Sequence, residues 1–343
     1  MARYMSSSAD QKKFHPSWKV YPSWQYDALE QEHGKKNVKL IYVVRHAEGW
    51  HNVNQEYKSI KNLDARLTTK GTKQCYKLRD ELLLLRKEVD TKETVGNESM
   101  NEGGNDKKGL EYLMNGSEKD GEICVLVSPM TRCIQTALMA FDFWLPGSSE
   151  QEIDDRVPFI GLEALRETVN YNCDRRRRIS EVADEYPQLD FSFCHDDDDE
   201  IWNSYRTRQR NRTMVEDDEK DGGTTVKKDY LESAELYVVA NRGRQALEFL
   251  QSLPQSKIVL STHSAYLRCI LNWGQTGGVP RMFEQRLDDR EDPTRQDKLF
   301  DYCYRDDDGS DEAKIEANRN SFEEYMREDY ENAEIRSFCL LVQ

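Results

Sequence analysis

Three β-branched runs, far apart in the chain, each end at a polar turn and lead into helix-forming sequence. KLIYVVRHAEGWHN covers Lys39 to Asn52, EICVLVSPMTRCIQTALMAF covers Glu122 to Phe141, and KIVLSTHSAYLRCIL covers Lys257 to Leu271. Continuous apolar runs of this kind predict strands covered on both faces, as in a parallel sheet between helices. Ligands of open α/β sheets bind beyond the carboxyl ends of the strands. His46, Ser128 and His263 close the three runs, so they can share one pocket. Arg45 beside His46 suits an anion. Pro129 stops the second strand, because proline cannot donate to the ladder. Arg132 then falls in the first turn of a helix, where free N–H groups and the dipole favour an anion. Its guanidinium adds a fork of donors that matches phosphate oxygens.

These motifs resemble those of the histidine phosphatase superfamily, which includes cofactor-dependent phosphoglycerate mutases. Arg45-His46-Ala47 stands where the family has Arg-His-Gly, and Asn52 where it has a phosphate-contacting asparagine. Leu67-Thr68-Thr69-Lys70-Gly71 resembles the opening of the family's first helix, and Arg132 matches its second arginine. Glu167, in Leu165-Arg166-Glu167, matches the acidic proton donor, and His263 the second histidine. Ala47 departs from the pattern, since its methyl forbids easy φ > 0. Arg-His-Ala-Glu-Gly-x-His-Asn-Val and Cys173-Asp174-Arg175-Arg176-Arg177 look most like the phosphoglycerate-mutase-like phosphatases of plants, fungi and protists. The resemblance implies an α/β fold, a three-layer α/β/α sandwich with a mostly parallel central sheet and polar insertions. It implies a 1–37 N-terminal arm and a 38–343 catalytic domain with insertions near 88–121, 190–229 and 274–330.

The expected chemistry follows from the residue types. Phosphate esters repel nucleophiles, so Arg45, Arg132 and backbone amides would neutralise their charge, with Asn52 as the further phosphate contact that the resemblance implies. His46, neutral and with one ring nitrogen tied to a backbone carbonyl, would attack phosphorus and form a phosphohistidine. His263 would donate to the phosphoryl oxygens. Glu167 would protonate the leaving oxygen and then activate water, helped by a pKa raised beside the phosphate dianion. No metal or other cofactor enters this scheme. His51, Ser128, Arg175 and Ser264 are further candidates for substrate contact, although His51 and Ser128 could equally stabilise turns. The expected function is hydrolysis of small phosphorylated metabolites, with a phosphate ester or inorganic phosphate as the partner in the pocket. A phosphoglycerate mutase and a silent phospho-ligand-binding protein are the alternatives. Ser128-Pro129 and the arginine run do not resemble mutase sequences, and an intact set of active-site residues argues against a silent protein.

A net charge of −15 over 343 residues disfavours nucleic acid and anionic membranes. No apolar run is long enough to span a bilayer, and MARYMSSSADQKKF lacks the apolar core of a secretory signal. Eight cysteines without a C-x-x-C pair read as reduced residues of a cytoplasmic enzyme. Oligomeric state is not legible. His195 to Glu200 reads as a solvated acidic loop rather than a cation site. For Arg175 to Arg178 two readings stand open: contact with an anionic substrate tail, or pairing with the acidic segment. Residues 1–37 read as an irregular arm whose Trp18, Tyr21, Trp24 and Tyr26 dock on the core. Thr68 to Lys87 reads as a helix, Glu88 to Gly121 as a mobile loop, and Ser180 to Tyr186 as a short helix stopped by Pro187. Tyr230 to Leu253 reads as a long helix, Gly274 to Asn320 as loop-rich, and Ile335 to Val342 as a final strand.

Overall fold

The structure, a computed structural model, describes residues 18–54, 57–95, 105–115, 121–145, 157–204, 232, 236–272, 299–306 and 309–342. Seven strands form one sheet: β1 (Trp18–Pro22), β2 (Val38–Arg45), β3 (Ile123–Val127), β4 (Phe159–Gly161), β5 (Lys257–Thr262), β6 (Phe300–Tyr302) and β7 (Ile335–Leu341). Their order is β4-β3-β5-β2-β7-β1-β6. Only β7 runs against its neighbours, β1 and β2; the other pairings are parallel. All of β3 and β5, and β2 up to Val44, are buried. The two-residue period of β2 sorts its side chains between two cores. Leu40, Tyr42 and Val44 join one cluster, whereas Ile41 and Val43 join the other.

Each core is roofed by helices. On the first face lie α1 (Tyr26–His33), α3 (Thr69–Val95), α4 (Asn105–Met114), α5 (Thr131–Ala140) and α6 (Ile179–Glu185), with Leu29, Leu82, Leu113, Ile134 and Val182 in that cluster. On the second lie α7 (Leu236–Ser252), α8 (Ser264–Leu271) and α9 (Glu312–Arg327), through Leu247, Tyr266 and Phe322. A short helix, α2 (Trp50–Asn54), follows β2. The molecule is therefore an α/β/α sandwich with a mostly parallel sheet, as expected.

Several boundaries differ from the sequence reading, each for a physical reason. Residues 18–37 are no irregular arm: β1 sits between β7 and β6, with Trp18 and Val20 buried, and α1 follows. The residues from Glu88 continue α3 to Val95, and part of the expected loop is α4. Residues 96–104 and 116–120 lie outside the described residues. The stretch expected to be loop-rich after Gly274 contains β6 and α9. α9 buries only Phe322 and Met326, so its polar composition hid a helix with a narrow apolar stripe. The long helix is described from Leu236, and the insertion at Arg206 to Lys228 lies outside the described residues. α6 and β7 stand where expected, and all eight cysteines are free thiols.

Candidate active site

Parallel register brings three strand ends to one edge of the sheet. Arg45 pairs with Thr262, and Val127 with Ser261. The backbone amide of His46 donates to Thr262 O (2.9 Å), and that of Ser128 to Ser261 O (3.0 Å). The His46 and His263 rings thus lie 5.2 Å apart, centroid to centroid. Four side chains named from the sequence, His46, Ser128, Arg132 and His263, are almost wholly buried there.

His46 Nδ1 lies 2.8 Å from the carbonyl of its neighbour Ala47. A carbonyl can only accept, so Nδ1 carries the proton and the Nε2 lone pair is left outward. Burial, then Arg132, His51 and Arg45, hold the ring well below the usual histidine pKa, so it is neutral. The Ala47 methyl packs in a small cluster with Leu67 and Cys75. Ala47 is not among the positive-φ residues, so alanine stands there without strain.

His263 is held differently. Its Nδ1 receives the Arg132 Nε–H (3.2 Å), which leaves the proton on Nε2, 2.8 Å from Ser128 Oγ. Cys133 Sγ lies 3.3 Å from the same Nε2. The other two guanidinium nitrogens of Arg132 reach Cys173 O (2.8 Å) and Asp174 Oδ1 (3.4 Å). Arg132 therefore orients His263 and the 173–174 turn with the donors that the sequence reading assigned to phosphate. Arg45 is less committed. One Nη donates to Tyr330 O, while Nε is buried without a partner.

The expected anion cradle at the start of α5 is filled from within the chain. Asp64 accepts from Thr131 N (2.8 Å) and Thr131 Oγ1 (2.5 Å), and Arg177 Nε donates to the same carboxylate (3.0 Å). The sequence predicted a favourable place for negative charge there, but the charge is Asp64.

His51 is buried, its ring centroid 5.4 Å from that of His46. Its Nδ1 has no hydrogen-bond partner, and burial followed by Arg132 and Arg45 lowers its pKa to about 2. An unpartnered buried lone pair costs less than an unpartnered buried N–H, so the proton belongs on Nε2. The turn is held instead by Asn52, whose Oδ1 accepts the Gly49 amide (3.0 Å). The Asn52 amide nitrogen and the Ser264 hydroxyl make no hydrogen bond among the described residues.

Glu167 comes from the loop after β4 and lies at the start of α8. Its Oε1 accepts from Thr168 N (2.9 Å) and Tyr266 N (2.7 Å). Arg242 fixes the backbone behind it through Arg166 O (2.9 Å) and Glu167 O (3.2 Å). Burial, then the neighbouring Asp174 carboxylate, push the Glu167 pKa up. Asp174 takes backbone N–H groups from Asn170 and Tyr171 and faces Arg132, so of the two carboxyls it keeps the charge better. Glu163, the nearby carboxylate, is instead paired with Arg176 and lies 3.7 Å from Arg166.

The arginine run divides. Arg176 donates to Asp196, Asp197 and Asp198 carbonyls, and Arg178 pairs with Asp198 (3.0 Å). Two of the four thus pair with the acidic segment, while Arg177 turns to Asp64 (3.0 Å) and Glu185 (2.8 Å). Arg175 is half-buried, and its guanidinium has no partner among the described residues. The acidic loop is exposed except at Asp199, which is buried against Arg166, a correction to its reading as wholly solvated. Asp64, Asp174 and Arg242 were missed. Only Asp174 had a visible signal, its place in the Cys173-Asp174-Arg175 motif.

The chain resembles two proteins of Arabidopsis thaliana. One is a phosphoglycerate mutase-like protein, 28% identical over 257 residues that cover 68% of this chain and 74% of the other. The second, phosphoglycerate mutase-like protein 1, is 27% identical over 261 residues, 68% of this chain and 71% of the other. The similarity to phosphoglycerate mutase-like proteins agrees with the resemblance that the motifs carry. No family model matches the chain. Among solved structures it is similar to phosphoglycerate mutase from Bacillus anthracis str. Sterne, at 13% identity over 70% of this chain and 81% of that one; the TM-score is 0.32, too low to decide anything about function. No described helix is long and apolar enough to cross a membrane, and no group of three or more His, Cys, Asp or Glu among the described residues is placed to hold a metal ion.

Proposed function

We propose that the protein hydrolyses small phosphate monoesters through a phosphohistidine on His46. One observation carries this reading: beside His46, whose Nε2 accepts no hydrogen bond among the described residues, stand two buried nitrogens without a partner, Nε of Arg45 and Nδ1 of His51. Buried polar groups are normally satisfied, so this gathering fits a site that receives an oxygen-rich ligand. Nε2 attacks phosphorus, and the P–O ester bond breaks. The leaving oxygen takes the Glu167 proton, and the carboxylate so formed then removes a proton from the water that attacks the phosphohistidine. Arg45 and the His51 Nε2–H act on the phosphoryl oxygens as charge builds. Arg132 and Ser128 hold His263, whose Nε2–H adds to that field through Ser128.

His46→Ala should abolish phosphate release while the circular dichroism spectrum and melting temperature stay near those of wild type. Rapid quenching of the wild type with a labelled ester should trap an acid-labile, base-stable label on His46, and exhaustive EDTA treatment should leave turnover intact. A label on serine or aspartate, or a loss of turnover restored by a divalent metal, defeats the scheme. Steady-state phosphate release measured beside interconversion of phosphoglycerates separates hydrolysis from the mutase reading.

A further inference from the structure

We propose that the site prefers phosphate esters whose leaving group is a flat aromatic ring, and that His51, Tyr57 and Tyr171 form the wall that reads it. The proposal rests on the hydrolysis described above and names its substrate class. Four rings run outward from the nucleophile. The centroids of His46 and His51 are 5.4 Å apart, those of His51 and Tyr57 6.3 Å, and those of Tyr57 and Tyr171 5.7 Å. Interplanar angles are 52°, 62° and 31°. Aromatic pairs gain most at centroid separations of 4.5–7 Å, in tilted or offset arrangements. A planar group bonded through oxygen to a phosphorus at His46 would meet this series within the same range.

The wall is not explained by its own bonding. Tyr57 and Tyr171 are half-buried, and the Tyr57 hydroxyl makes no hydrogen bond among the described residues. The segments that carry the rings are nevertheless fixed to each other. Cys173 N donates to Tyr57 O (3.2 Å), and Asn172 Nδ2 to Lys58 O (2.5 Å). Cys173 O and Asp174 in turn bind Arg132. The same turn thus sets the arginine beside His263 and the outer ring of the wall, so the two move as one body. A polyol phosphate would set hydroxyls against these ring faces and lose hydrogen bonds to water without replacement.

The test compares kcat/KM for benzyl phosphate and cyclohexylmethyl phosphate. Both leaving groups are primary alcohols with seven carbons, so size and demand for a proton are similar while only one ring is flat. The wild type should prefer the benzyl ester about three- to tenfold. Tyr57→Leu/Tyr171→Leu should bring the ratio close to one, and Tyr57→Phe/Tyr171→Phe should keep it. The ratio is the readout, so a change in overall rate does not mimic the result. Parity in the wild type, a ratio unchanged by the leucine pair, or a better rate on glycerol phosphate overturns the proposal. If neither ester is hydrolysed, the hydrolysis reading fails by itself. Calorimetric binding of benzylphosphonate against cyclohexylmethylphosphonate then decides the wall: tighter benzyl binding that the leucine pair removes upholds it, and equal binding overturns it.

Discussion

Two residues carry predictions that depend on the sign of a proton shift. In the proposed hydrolysis Glu167 must be protonated to release an alcohol, and its pKa is raised by burial and Asp174. Cleavage should therefore weaken as pH rises through that raised value, and Glu167→Gln should remove this limb from the profile of kcat/KM. The same substitution should slow an alkyl phosphate far more than p-nitrophenyl phosphate, whose leaving group needs no proton; a general acid contributes about 10²–10⁴-fold. If Glu163→Gln gave the selective loss instead, the acid would be Glu163. His51 behaves in the opposite sense. Unfolded, it titrates near 6.5; folded, it stays neutral down to about 2. Below pH 6.5 the unfolded chain binds the extra proton, so stability falls with acidification by about 1.4 kcal/mol per pH unit for such a residue. In urea titrations between pH 6 and pH 5, His51→Asn should show a slope shallower by that amount. An unchanged slope would mean that His51 is protonated in the fold.

At the scale of elements, short polar segments hold the loops of the candidate site by buried charge. Asp199 closes on Arg166, which itself is fully buried and also donates to Asp174 O (the carbonyl beside the carboxylate that faces Arg132). Burial makes such a pair costly to break, because the survivor is left charged in a poor solvent. Asp199→Ala should lower unfolding free energy by about 3–5 kcal/mol, measured by chemical denaturation. A loss below 1 kcal/mol would place Asp199 with ordinary surface pairs. The glycine of the Leu67-Thr68-Thr69-Lys70-Gly71 motif works by absence: a Cβ on Gly71 would lie 2.1 Å from Glu48 O. That contact seats the start of α3 against the loop that follows His46.

For the whole molecule, what the sequence revealed and what it hid divide along the kind of force involved. The central strands and the buried histidines were legible because parallel strands leave long apolar runs and their ends gather ligands. β1 was hidden, since its Trp18 and Val20 alternate with partly buried residues and nothing local names a partner. α9 was hidden by its charge. At the site, His46, Ser128, Arg132, Glu167 and His263 were legible from motifs, but their bonding was not. That Asp64 would occupy the start of α5, 67 positions from Thr131, or that Arg132 would give its donors to protein, follows only from the packed fold.

The dipeptide at the heart of the site is finished from far along the chain. Arg45 donates to Tyr330 O, its amide reaches Glu334 O (3.2 Å), its carbonyl accepts Ala333 N (3.1 Å), and Asn332 donates to His46 O (3.0 Å). Every motif residue is synthesised by position 263, yet none of these four clasps exists until some seventy residues later. A chain interrupted at residue 300 would carry the full catalytic inventory and stay inert. Supplying residues 309–342 as a separate peptide, which would restore the clasps together with β7, should recover phosphate release in proportion to the peptide bound. Synthesis and assembly are thereby placed in sequence: the strand end that carries Arg45 and His46 is made early, and its clasps arrive only with residues 330–334.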